Sequence, residues 1–341
     1  MTPLTPRALL CLAVLSPLLP AIPAAENAEP PQGPAEPATP GGAPAAVVPA
    51  ADHPANAATG LSGDDATLRA QVLLARARFS PGEIDGKGGD NTRRALEAFQ
   101  RSRDIPASGE LDEATWRTLN ADPAPVLVEY EVTATDVAGP FRGLPEDMME
   151  KAGLDALGYE TAEEALGERF HASPALLQQL NPGTRFVAGA RIVVPHVSAA
   201  APLPDVSTVV VDRSDSVVRL LDADGRVVAQ FPASTGSEHD PLPLGEWTIR
   251  GVARDPTFHY NPELFWNADP EHAKATLPPG PNSPVGVAWV DLSKEHYGIH
   301  GTPVPAEVGK TSSNGCIRLT NWDVLVLASA VATGMPAVLQ E

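Results

Sequence analysis

Ser313-Asn314-Gly315-Cys316-Ile317-Arg318 holds the one cysteine outside the first 25 residues, and sixteen residues before that thiol lies His300 in Tyr297-Gly298-Ile299-His300-Gly301-Thr302. A lone thiol in an exported chain has no internal disulfide partner. It is inert, paired between molecules, or a nucleophile. A Gly directly before the Cys, and a His-Gly closing an apolar stretch, favour the nucleophile.

Around this pair the sequence reads as strands. Ser207 to Val211, Val217 to Leu221 and Arg226 to Phe231 are β-rich runs, the last two separated by the hairpin signal Asp222-Ala223-Asp224-Gly225. Gly245 to Ile249, Gly286 to Val290 and Tyr297 to His300 continue the pattern. Thr320 caps an expected helix from Asn321 to Thr333, with Asp323 near its positive end. Met335 to Gln340 reads as a last edge strand. The expectation for 205–341 is a mainly β domain with one C-terminal helix.

A thiol attacks as thiolate, so a catalytic Cys needs a base or positive charge nearby. His300 supplies the base. The Gly301 carbonyl is placed to orient the imidazole through its other nitrogen, as a carboxylate does in Ser-His-Asp sites. Gly315 lets the chain turn tightly, and its N–H with that of Cys316 can face an oxyanion. Arg318, on the Cys316 face of a strand, would hold a substrate carboxylate or lower the thiol pKa. Its structural alternative is an ion pair. Ser313 caps a turn or touches substrate. Tyr260, Phe265 and Trp266 line a groove or simply pack. His296 and His300 form a His-x3-His pair, which with His259 and His272 raises a zinc site, but Gly298 argues against a helix there.

These residues resemble the L,D-transpeptidase catalytic domain of the YkuD type: His300-Gly301-Thr302, a ten-residue gap, then Ser313 to Leu319. Pro279 to Gly286 and Pro243 to Trp247 also resemble family segments. Many members have His where this chain has Asn314. The resemblance implies a Cys316 nucleophile that acylates on the meso-diaminopimelate of a peptidoglycan tetrapeptide stem and expels D-Ala. Ser313, Asn314, Arg318, Tyr260 and Trp266 would contact substrate. An amine then resolves the thioester, giving a 3→3 crosslink or an anchored protein, including an outer-membrane protein or lipoprotein acceptor. No metal or organic cofactor is implied. Hydrolysis by the same site, a non-catalytic peptidoglycan-binding protein and a zinc peptidase are the alternatives.

The rest of the 341 residues divides by composition. Residues 1–25 read as a signal peptide, with Arg7 before an apolar run too short to span a bilayer. Residues 26–60 are Pro/Ala-rich and read as a disordered linker. Residues 61–122 resemble the three-helix peptidoglycan-binding domain, through Ile84-Asp85-Gly86, Ala98-Phe99-Gln100, Gly109 to Asp112 and Thr115-Trp116. Residues 123–158 read as a connecting segment with an extra strand and helix. Residues 159–198 resemble an α+β LysM-like module, through Phe170 to Ser173, Leu176-Leu177, Leu180 to Gly183, Gly189 and Val194-Pro195, but with Tyr159 to Ala162 in place of the usual opening. Residues 199–204 form a second linker. A net charge of −19 argues against nucleic acid and anionic lipid as partners. The expectation is a periplasmic, multidomain enzyme with no membrane insertion.

Overall fold

The computed structural model describes residues 48–57, 59, 61–200 and 202–341. The signal peptide and most of the first linker lie outside the described residues. Those from 48 onward divide into an N-terminal body and a C-terminal sheet domain.

The N-terminal body begins with a short strand, β1 (Val48–Pro49), inside the stretch read as linker. The linker reading fails for 48–57 because of a distant partner: the Asn56 amide donates to Leu127 O and accepts from the Val126 and Leu127 N–H groups. Three helices follow, α1 (Gly63–Arg76), α2 (Asp90–Ser102) and α3 (Glu113–Leu119). Asp112 caps α3 by accepting from Thr115 N, as its position before the short helix that holds Trp116 and Leu119 predicts. Next come β2 (Leu127–Glu131), α4 (Met148–Ala152), α5 (Ala162–Phe170), α6 (Pro174–Leu180) and β3 (Arg191–Pro195). β2 lies between β1 and β3 in a three-stranded antiparallel sheet. The two modules expected as separate share one apolar core: Leu73, Phe79 and Phe99 belong to the same cluster as Leu166, Leu177 and Ile192. The strand that makes this possible is β2, from the segment read as a connector.

The sheet domain holds β4 (Thr208–Asp212), β5 (Val217–Leu221), β6 (Val227–Pro232), β7 (Gly245–Arg254), β8 (Phe258–Tyr260), β9 (Ala275–Leu277), β10 (Ala288–Leu292), β11 (Gly298–His300), β12 (Ile317–Arg318), α7 (Asn321–Ala330) and β13 (Pro336–Gln340). Eight of these strands form one sheet in the order β12-β11-β10-β7-β13-β4-β5-β6, and β8 and β9 pair as a separate hairpin. Alternate residues face one core, among them Val209 and Val211, Val218 and Leu220, Ile299, Ile317, Ala337 and Leu339, and α7 covers it with Val324 and Leu327.

Two expectations change. β13 is no edge strand: it runs parallel to β4 and antiparallel to β7, in the middle of the sheet. β7 runs on to Arg254, because its first half pairs with β13 and its second half with β10. Arg250, Gly251 and Arg254 break the apolar alternation, so sequence pattern stops the strand at Ile249. The sheet then curls until its ends meet, where Ser234 bridges Arg318 and Gly236 bridges Ser313.

The two bodies are joined along several lines. Arg78 to Ser80 extend the sheet beyond β6: Gln230 N donates to Arg78 O and Ser80 N to Gln230 O. This covers an edge that would otherwise expose unpaired backbone groups. The Ser80 hydroxyl donates to the buried Asp323 carboxylate at 2.8 Å. His171 stacks on Trp322, with centroids 5.0 Å apart and planes 9° from parallel. Among the described residues no helix is long and apolar enough to cross a membrane.

Candidate active site

His300 ends one of two short strands that run side by side, and Cys316 directly precedes the other. β11 and β12 pair in parallel, with Ile299 opposite Ile317 and His300 opposite Arg318. Ile299 and Ile317 are fully buried in the core. Alternation therefore puts Gly298, His300 and Arg318 on the other face, level with the turn that carries Cys316.

His300 is buried, and its Nδ1 lies 2.7 Å from the Gly301 carbonyl oxygen. A carbonyl only accepts, so Nδ1 carries the proton and Nε2 is left with its lone pair. Burial pulls the imidazole pKa down to about 4; the Gly301 bond opposes this and the Arg318 charge adds to it. The ring is neutral at pH 7.

The Cys316 thiol is raised above its ordinary pKa by burial, and a contact with the Gly298 N–H offsets this in part. Its Sγ lies 3.6 Å from the His296 carbonyl oxygen. Arg318, expected to lower the thiol pKa, is not among the causes acting on it. The guanidinium donates instead to Ser312 O at 2.6 Å and Thr311 Oγ1 at 3.2 Å, tying down the loop that leads to the thiol.

The turn itself is locally built. Gly315 has φ of 96°, a conformation that strains any residue with a Cβ, and an added Cβ would also press on the Tyr297 ring at 3.1 Å. The Ser313 hydroxyl donates to Cys316 O at 2.5 Å, closing the turn, and Ser313 N donates to Thr235 O. Ser313 is thus engaged in the turn and buried.

Of the expected aromatic contacts, Tyr260 is buried in a small core with Leu157 and Leu277, its hydroxyl paired with His272 Nδ1 at 2.9 Å. Phe265 packs against the same cluster. Trp266 is different: it is 60% exposed and stacks on His239, centroids 4.4 Å apart. Beside it, Asn267 Oδ1 accepts from Asn314 Nδ2 at 3.4 Å. His239, Trp266, Asn267 and Asn314 therefore form a rim next to the thiol turn. The four histidines weighed for zinc are dispersed: His296 faces Glu295, His272 Nε2 faces Asp147, and His259 contacts Thr276.

Comparison with known proteins shows which family these residues belong to. The family described as "L,D-transpeptidase catalytic domain" matches residues 207–339. A "Putative peptidoglycan binding domain" matches residues 64–119. "Putative L,D-transpeptidase YkuD" of Bacillus licheniformis is 33% identical over 174 residues, 50% of this chain and 88% of the relative. The chain belongs to the L,D-transpeptidase family. The Bacillus subtilis protein of the same name is 34% identical over 170 residues, 48% of this chain and 85% of that one. A solved L,D-transpeptidase from Mycobacterium smegmatis is 23% identical, covers 46% of this chain and 64% of that chain, and superposes with a TM-score of 0.32.

Within this L,D-transpeptidase, several residues around the pair carry no local sequence signal. Trp289 is the cross-strand partner of His300 and stacks on its ring, centroids 5.4 Å apart. Tyr297 backs the Gly315 turn. Asn321, 1% exposed, accepts from Val287 N and donates to Pro281 O.

Proposed function

We propose that this chain is a periplasmic, cysteine-dependent L,D-transpeptidase. Cys316 attacks the carbonyl of meso-diaminopimelate in a tetrapeptide stem. The C–N bond to the terminal D-Ala breaks, D-Ala leaves as the amine, and a thioester remains. An amine from a second stem, or from an attached protein, then takes the acyl group and regenerates the thiol. The product is a 3→3 crosslink or a wall-anchored protein.

The observation that carries this reading is the neutral His300 with its Nδ1 committed to Gly301. Such an imidazole has only Nε2 to offer as a base. Because Cys316 is held as a thiol by burial, the resting site is a neutral pair rather than a thiolate–imidazolium pair. His300 takes the thiol proton as attack proceeds and returns it to the departing D-Ala nitrogen. The N–H groups of Gly315 and Cys316 stabilise the tetrahedral oxyanion. The rim of Trp266 and Asn314 receives the stem, and residues 61–122 hold the peptidoglycan strand. The LysM-like reading of 159–198 rests on the order of its helices and strand, and a structural spacer between the helical unit and the sheet domain fits that order equally.

Incubation of the mature protein with meropenem, read by intact mass, tests the acylation half. One covalent adduct is expected on the wild type and none on Cys316→Ala. No adduct on folded wild type overturns the reading. Product analysis with a tetrapeptide, with and without an acceptor amine, then separates transfer from hydrolysis.

A further inference from the structure

Glu168 lies in the last turn of α5, in the N-terminal body, yet its side chain reaches into the sheet domain. Its Oε1 accepts a hydrogen bond from Asn321 Nδ2 at 2.8 Å. The same Asn321 nitrogen donates to Pro281 O at 3.1 Å, and Asn321 Oδ1 accepts from Val287 N at 3.3 Å. Asn321 is thus gripped from three sides by groups that fix how its amide plane lies.

That plane matters because of where Oδ1 sits. A Cβ added to Gly286 would lie 2.1 Å from Asn321 Oδ1, and one added to Gly301 would lie 2.2 Å from it. The two glycines face each other, and the amide oxygen fills the slot beside both. Gly301 is the residue whose carbonyl holds Nδ1 of His300. A continuous line of contact runs from Glu168 through Asn321 to Gly301 and so to the imidazole.

We infer that Glu168 is a positioning residue for His300: by fixing the Asn321 amide it sets the Gly286–Gly301 contact, and through it the carbonyl that aims the imidazole at Cys316. The inference rests on the reading of Cys316 and His300 as the reacting pair. It makes the accessory body part of the support of the site, and not only a means of attachment. Burial pushes the Glu168 carboxyl up to about 8 against the opposing pull of the Asn321 hydrogen bond, with Glu164 and Glu83 adding to the rise. At neutral pH it is the uncharged acid, so a glutamine amide reproduces both its shape and its acceptor oxygen.

A bond across an interface also serves cohesion alone, and a neighbour separates the two roles. Glu164, one turn earlier on α5, accepts from Asn282 Nδ2 at 2.7 Å across the same interface. It does not touch Asn321.

The test uses the full mature chain as wild type, Glu168→Ala, Glu168→Gln and Glu164→Ala. The readouts are the rate of meropenem adduct formation on Cys316 and the imidazole Nδ1–H resonance of His300. Glu168→Ala is expected to slow acylation about 10- to 100-fold, the scale of a misplaced reacting group, and to shift or broaden the His300 resonance. Glu168→Gln restores the rate to within about threefold of wild type, and Glu164→Ala stays within about threefold. Should Glu168→Ala melt early, Glu168→Asp, shorter by one methylene, replaces it and must slow acylation too. Wild-type rates in Glu168→Ala, or equal slowing in Glu168→Ala and Glu164→Ala, overturn the inference. A wild type that forms no adduct overturns the parent reading, and this one with it.

Discussion

The imidazole of His300 lies face to face with the indole of Trp289, their planes 12° apart. The two residues are also directly opposite each other in the β10–β11 ladder. Gly298 makes room for the indole: a Cβ there would meet the Trp289 ring at 2.4 Å. The indole therefore covers one face of the ring and contributes to the burial that keeps it neutral.

Trp289→Leu is expected to let water reach His300 and to raise its pKa from about 4 toward the ordinary histidine value. Acylation at pH 5 should then fall severalfold more than at pH 7.5. A side-chain NMR titration of His300 checks the shift directly. An unchanged titration would show that Trp289 does not control the ring.

The pH profile of the wild type follows from two displaced groups. His300 is a neutral base above about pH 4, so the acid limb of the acylation rate lies near 4 and not near 6.5. Burial raises the Cys316 thiol, which gives its proton to His300 as it attacks, so the rate is level from the acid limb through neutral pH and rises again only in alkaline solution, where free thiolate appears. Stopped-flow acylation by meropenem measures both limbs. An acid limb near 6.5 would mean an imidazole that burial does not hold neutral, and would contradict the reading.

Gly315→Ala puts a Cβ into a left-handed turn and against Tyr297. The backbone strain alone is about 1–2 kcal/mol. The expected result is a small loss of melting temperature with a large loss of acylation, because the thiol and its oxyanion donors move together. Thermal melting and adduct rate on the same sample separate the two effects.

Stability should depend on pH through Glu168. Its folded-state pKa is raised to about 8, so its stabilising protonation is complete below the ordinary glutamate value and is lost as pH rises through 8. Glu168→Gln carries no proton to lose. Its melting temperature relative to wild type should therefore climb between pH 5 and pH 9. A constant offset across that range would contradict the burial of the group.

The joint between the bodies can be probed at Ser80. Ser80→Ala leaves the fully buried Asp323, whose pKa burial lifts to about 7, without its hydroxyl donor from the other body. The expected cost is about 1–3 kcal/mol, read by urea unfolding. The wild type should unfold in one transition, and Ser80→Ala should broaden it or split it in two.

What sequence reveals about this molecule follows how local the determinants are. The thiol turn and His300-Gly301 are legible because each occupies six consecutive residues whose types already state their chemistry. Helices α5 and α6 begin where local chemistry marks a start, since Thr161 and Ser173 cap them and accept from Glu164 N and Leu176 N. The place of β13 in the middle of the sheet is not legible, since Ala337 and Leu339 alternate equally well at an edge. Tyr260 reads as lining a groove or packing because its neighbours are aromatic, and its burial is settled by Leu157 and by His272, which Asp147 holds, from outside that stretch. Asn321 carries no local signal at all, because its role is set by Glu168 and two glycines from other elements.

Helix α2 also reaches across the joint. Asn91 donates to Val308 O at 2.8 Å and Arg94 to Gly309 O, on the loop between His300 and Cys316. The helical unit is therefore bolted to the loop that ends at the thiol, where a tether would have left it free to swing. Whatever lies on its surface is offered to Cys316 at a fixed bearing and distance. On the proposed function, the span between a wall strand held by that unit and the thiol is therefore set once, on folding.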